Sequence, residues 1–124
     1  MPALRGDLDA QDQEGESDMS LKLDSFYMGL VAQLGCVVCK RLGRGHVQAQ
    51  VHHVAVGSSR TSDFAVAPLC HEHHDPERTG SGFHGMGTER FCKLFRVPGE
   101  REEGLLVWAA EDLARHLKSA KVAA

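Results

Sequence analysis

Val51–His74, VHHVAVGSSRTSDFAVAPLCHEHH, is the stretch that decides how this chain folds. It opens on the pair His52-His53 and closes on Cys70-x-x-His73-His74, and it holds five of the eight histidines. Just upstream stands Cys36-Val37-Val38-Cys39. Two ligands two residues apart can grip one ion from a single tight turn. Zn²⁺ takes thiolate and imidazole ligands in tetrahedral sets, and a closed set of four is structural. Taken alone, Cys70 reads as a buried small side chain and His73 as a surface imidazole. With Cys36 and Cys39 present, the four together point to a zinc staple.

A Cys-x-x-Cys pair by itself also fits a redox dithiol, but no helix N-terminus is expected after this one. Cys92 stands outside both pairs and is expected to be a buried free thiol. Once the zinc set is closed, His52, His53, His74 and His84 remain, while His71 is expected to face solvent. Neighbours on a strand point to opposite faces, so His52 and His53 cannot both ligate one ion unless the strand bulges. One facing a metal while the other reaches substrate from a twisted strand end is an arrangement suited to catalysis. A single histidine there would be unremarkable and structural.

The composition bounds the rest. At 124 residues, one domain is the natural expectation. Aromatic residues make up only 6% of the chain, so its core must be aliphatic and small, and small cores often need a staple. No run approaches the ~18 consecutive apolar residues of a membrane span, and the N-terminus lacks the apolar stretch of a secretory signal. A cytoplasmic location is therefore expected, where clustered cysteines favour metal over disulfides. Net charge is −3, yet residues 1–24 carry seven acids and two bases, which leaves the remainder at +2. That remainder is compatible with a polyanionic substrate.

Along the chain, residues 1–20 read as a disordered acidic tail and 21–124 as the folded domain. Ser20–Leu34 carries apolar residues at helical spacing, with Asp24 or Ser25 as the start and Gly35 as the stop. Strands are expected at Gln48–Ala55 and Phe64–Pro68, joined by a polar loop around Gly57. HEHHDPER should begin a short helix. Phe83–Gly87 reads as a turn, Thr88–Phe95 as a short helix capped by Thr88, Pro98-Gly99 as a stop, and Leu105–Lys118 as a helix covering the core.

In this order LGCVVC, VHHV, SD, PLCHEHH and FHGMGTERF resemble the HNH, or ββα-metal, endonucleases. They are most similar to the phage recombination-enhancement branch, whose small nucleases have cysteine zinc ligands. The likeness spans roughly residues 28–95 and implies an α+β fold: a small zinc-stapled ββα-metal (treble-clef-like) domain with flanking helices. It places Cys36, Cys39, Cys70 and His73 on a structural Zn²⁺. It places His53 on the general base, and His52 and His74 on a catalytic divalent metal such as Zn²⁺ or Mg²⁺. His84 is the candidate third ligand, although ten residues and two glycines separate it from His74. The motif's central Asn is missing, and Asp63 stands in the comparable stretch, where it either orients His53 or merely caps the loop.

The resemblance implies a DNA endonuclease in which His53 activates water and the metal stabilises the transition state. Lys40, Arg41, Arg44, Arg60, Arg78 and Arg90 are candidates for phosphate contacts. Recombination or phage packaging proteins are the implied partners. The competing reading is a non-catalytic zinc-binding adaptor for nucleic acid or protein, which would have no need of His53.

Overall fold

A computed structural model describes residues 22–56, 59–60 and 62–123. The expected acidic tail at 1–20 and the turn signal Gly57 lie outside them. Helix α1 spans 22–33 and buries Val31, while Leu23 and Phe26 on its outer side are exposed. Asp24 and Ser25 lie within this helix and are not its cap. Gly35 ends it as expected, in the left-handed region at φ 85°. A side chain at that position would also meet the His46 ring, whose Cδ2 would lie 2.8 Å from an added Cβ. By length and mean hydropathy Lys22–Arg41 would pass for a membrane span, although it is not a run of consecutive apolar residues. The turn at 34–36 divides that stretch into two helices.

Helix α2, Val37–Arg41, starts at Cys36, whose Sγ accepts the Cys39 N–H. A helix N-terminus therefore does follow the Cys-x-x-Cys motif, contrary to expectation. Strand β1, Gln50–His53, pairs antiparallel with β4, Val66–Leu69, with Gln50 opposite Leu69 and His53 opposite Val66. Both strands are shorter than their sequence patterns suggested. The intervening segment folds back on itself as a small hairpin, β2 (Ala55–Val56) with β3 (Ser59–Arg60). Every residue of β4 is buried, as expected of a strand covered on both sides. The register matters for the site: it brings Gln50 beside the point where β4 leads through Cys70 into helix α3, His71–His74.

Asp75 ends α3 in the left-handed conformation at φ 54°. Phe83–Met86, read from sequence as a turn, forms helix α4, and Thr88–Leu94 forms α5. Thr88 is the first helical residue of α5, and Gly87 occupies the cap position without a side-chain bond. A 3-10 turn at Pro98–Glu100 then leads into α6, Gly104–Ala123. Helix α6 packs across β4 and against α2 and the 3-10 turn. The core between these elements sets Val37, Val38, Val54, Leu69, Val97 and Leu105 around Phe91, and Phe83 and Trp108 are buried in it too, so it is more aromatic than the composition suggested. Arg41 locks α2 to α6 by donating to Asp112 Oδ2 at 2.8 Å and Glu111 Oε1 at 2.9 Å while lying over the Trp108 ring.

Candidate metal centres

The first centre joins three elements. Cys36 and Cys39 come from the start of α2, Cys70 from the end of β4, and His73 from α3; all four are buried. Cys39 Sγ lies 3.7 Å from Cys70 Sγ. His73 Nδ1 lies 3.5 Å from Cys36 Sγ, 3.5 Å from Cys39 Sγ and 3.2 Å from Cys70 Sγ. A tetrahedral zinc ion with bonds of about 2.3 Å to sulfur and 2.0 Å to nitrogen sets edges of roughly 3.8 Å and 3.5 Å. The four donors therefore stand at the corners of a polyhedron of the right size to hold one metal ion.

With no ion bound, the Cys36 and Cys39 thiols of this set are pushed up, not down as in a reactive dithiol. Burial, followed by the neighbouring Cys36, pushes the Cys39 thiol up to about 12. Burial also raises Cys36. A reactive dithiol needs a lowered pKa, so the helix N-terminus at Cys36 does not make this a redox pair. Cys92 is buried apart from the four, its thiol pushed up to about 11 chiefly by burial.

The second centre is built on the other side of α3. His52 from β1, His74 from α3 and His84 from α4 bring one donor nitrogen each to within 4.8 Å of one another. His74 and His84 rings are 4.9 Å apart between centroids, and each lies 5.4 Å from that of His52. Burial, then the facing histidines, lowers His74 to about 4, and burial likewise lowers His84. Both are neutral at pH 7, with a lone pair available to a cation. A metal held by three such ligands keeps an open position for water or substrate, the pattern of catalytic sites.

Hydrogen bonds set which nitrogen each ring offers. His52 Nε2 donates to Glu102 Oε2 at 3.0 Å, which leaves Nδ1 as the acceptor nitrogen. His74 Nδ1 lies 2.8 Å from Gln50 Oε1, and Gln50 Nε2 lies 3.3 Å from His71 Nδ1. His71 Nε2 in turn pairs with Glu77 at 2.8 Å. Read from Glu77 inward, each step dictates the next: His71 donates to Glu77, Gln50 donates to His71, and His74 donates to Gln50. The lone pair of His74 then sits on Nε2. His71 is exposed, as expected, yet it supports the centre from outside.

The long gap to His84 is closed by Asp75. Its carboxylate accepts from Thr79 N at 2.7 Å, Thr79 Oγ1 at 2.8 Å, Gly80 N at 2.8 Å and Gly82 N at 3.2 Å. Those bonds hold its pKa well below the usual carboxylate range, against the opposing effect of burial. Gly82 and Gly85 have no room for a side chain: a Cβ would run into the Glu72 and His73 carbonyls or into the Asp75 carboxylate. Gly82, one of the two glycines that made His84 look remote, is thus part of what lets the loop fold back against α3.

His53 stands apart from both clusters, on the opposite side of β1 from buried His52, and its Nε2 pairs with Asp63 Oδ1 at 2.9 Å. Asp63 was read as either an orienting residue or a loop cap; its side chain reaches the imidazole. Behind it lies Asp24 of α1, whose carboxyl pKa is raised by burial and then by a hydrogen bond to Asp63. Tyr27 packs on Phe64 with ring centroids 5.0 Å apart, docking α1 beside this pair.

The family model described as "Recombination enhancement, RecA-dependent nuclease" matches residues 24–114. The chain belongs to that family. No curated protein and no solved structure matches it. The matched stretch of these recombination-enhancement nucleases contains every donor of both centres, together with His53, Asp63 and Asp24. The family is one of nucleases.

Sequence reasoning missed Glu102, Gln50 and Asp75, all supporting groups whose roles depend on long-range placement. Among the cations it named, Arg41 is committed to Asp112 and Glu111, and Lys40 lies 3.9 Å from Asp112. Arg44 pairs with Glu72 at 3.4 Å. The side chain of Arg60 is outside the described set. Arg78 and Arg90 are exposed, and Arg78 is near enough to His84 to help lower its pKa.

Proposed function

We propose that this protein is a metal-dependent DNA endonuclease of the HNH, ββα-metal type, with β1, β4 and α3 as its ββα unit. The observation that carries the reading is the convergence of His52, His74 and His84, with a carboxylate-paired His53 next in the chain to His52 on the other side of β1. An adaptor that used zinc only as a staple would need the Cys36, Cys39, Cys70 and His73 set and nothing more. A second cluster of neutral imidazoles favours catalysis over that alternative.

In this reading zinc fills the first centre and holds α2, β4 and α3 together. His52, His74 and His84 would hold a divalent ion in the second centre, and that ion would supply Lewis-acid stabilisation of the charge that develops at the phosphate. Neutral nitrogen ligands suit transition ions such as Zn²⁺ better than Mg²⁺, which prefers oxygen. His53 is the general base. Donating Nε2–H to Asp63 keeps its lone pair on Nδ1, and the carboxylate stabilises the imidazolium formed when Nδ1 takes a proton from water. His52 and His53 face opposite sides, so the scissile phosphate lies across the end of β1, reached from both. Arg78 and Arg90 contact the phosphate backbone without reading sequence. The family name points to a RecA filament on DNA as the partner that delivers the substrate.

Cleavage of supercoiled plasmid, with and without RecA filaments and with Zn²⁺, Mn²⁺ or Mg²⁺, tests this. His53→Ala should lower the rate by about 10²–10⁴-fold while leaving metal content intact. Unchanged cleavage by that variant would remove His53 from the mechanism.

A further inference from the structure

We propose that Glu102 is the positioning residue of the His-lined centre: it fixes the His52 tautomer and raises the affinity of that centre for its divalent ion. The inference rests on the reading of His52, His74 and His84 as metal ligands. Glu102 lies fifty residues from His52, in the segment between the 3-10 turn and α6, and its side chain is 13% exposed. A carboxylate withdrawn from water is costly unless its oxygens are matched by donors. Glu102 Oε2 accepts two: His52 Nε2–H at 3.0 Å and the Ala55 backbone N–H at 3.1 Å.

These two bonds act on both halves of the proposed active site. The first holds the His52 proton on Nε2, which leaves the Nδ1 lone pair free to take a cation. His52 is only 3% exposed and its ring lies 4.4 Å from that of Phe83, so a ring held at one edge cannot swing away at the other. The second bond pins the backbone two residues beyond His53, where β1 gives way to the β2–β3 hairpin. A carboxylate behind a ligating imidazole increases its basicity, and its loss typically weakens metal binding ten- to a hundredfold. Gln50 does the corresponding job for His74 as a neutral acceptor, so Glu102 is the carboxylate hydrogen-bonded to a histidine of the centre.

The test is a metal titration of full-length protein already carrying one equivalent of zinc. Co²⁺ is added to wild type, Glu102→Gln and Glu102→Ala, and the second affinity is read from visible absorption and calorimetry. Wild type should bind one further ion, with affinity falling about 10–100-fold in both variants, while zinc retention and melting temperature stay as in wild type. Glu102→Gln keeps an acceptor for His52 and differs by the charge, so it decides the matter if Glu102→Ala folds poorly. Imidazole ¹⁵N spectra should show His52 protonated at Nε2 in wild type and a mixture of tautomers in Glu102→Ala. Wild type that takes no second ion overturns the reading of the centre itself. Wild type that takes it, with Glu102→Gln and Glu102→Ala within threefold, overturns the role of Glu102 alone.

Discussion

His73 and His74 are neighbours in the chain and serve different clusters: His73 Nδ1 lies 3.2 Å from Cys70 Sγ, while the His74 ring stands 4.9 Å from that of His84. Adjacent residues on a helix point about 100° apart, so one short helix can form part of the wall of two sites. The consequence is a clean separation by mutation. His74→Ala should keep one zinc per chain and a cooperative melt, and lose the second ion and cleavage. Cys39→Ser or Cys70→Ser should prevent folding, because zinc bound to such small sites contributes on the order of 10–16 kcal/mol. Elemental analysis and circular dichroism on the two classes of variant check this. Equal metal loss in both classes would mean one shared site.

Zinc uptake at the first centre should release protons. Cys36 and Cys39 are raised above the ordinary thiol value, Cys39 to about 12, so both are protonated at pH 7 in the metal-free fold. Each must shed its proton to bind the ion. Affinity therefore rises with pH across the neutral range and falls as the medium is acidified. Calorimetry in buffers of different ionisation enthalpy should show at least two protons released per zinc at pH 7. Release of none would mean that the thiolates are already formed, and would restore the redox reading.

How far this could be read without coordinates follows from range. The two-residue spacing of each ligand pair is local, because a single turn brings both members together whatever lies around it. The alternation of His52 and His53 is local too, since it follows from the pleat. His84 is different: its place depends on a left-handed Asp75 and on four donors gathered by one carboxylate. No periodicity signals that. Glu102 is a charged residue in a charged REEG segment until the fold sets it against β1. Arg41, read as a candidate phosphate contact, is instead an internal tie, because whether a cation faces solvent depends on the helix packed above it.

That tie should be measurable. Asp112 has a fully buried side chain and receives Arg41 Nη1 at 2.8 Å, joining α2, which carries Cys39 of the first centre, to α6. Removing one partner of a fully buried pair costs about 3–5 kcal/mol; Arg41 is 23% exposed and keeps Glu111, so the low end of that range applies here. Asp112→Ala should lower stability by about 3 kcal/mol in chemical denaturation. Glu111, half exposed, also pairs with Arg41; its removal should cost under about 1 kcal/mol. If Glu111→Ala proves as costly as Asp112→Ala, the buried contact is not what joins the helices.

The loop from Asp75 to Gly82 offers the most selective way to disturb the second centre without touching a ligand. Asp75→Ala removes the acceptor of Thr79, Gly80 and Gly82 N–H, so the turn that carries Phe83 and His84 inward keeps only the Ser81 hydroxyl bond to the Glu72 carbonyl and the packing of Phe83. His52 and His74 keep their own supports in Glu102 and Gln50, and the four zinc donors are unaffected. The expected variant retains structural zinc, binds the second ion at least about tenfold more weakly, and cleaves DNA poorly at low metal with partial recovery at high metal. Gly85→Ala, whose new methyl group would press on the same carboxylate, should reproduce that behaviour. If second-ion affinity in both variants matches wild type, then His84 is a bystander and the ion is held by His52 and His74 with other ligands.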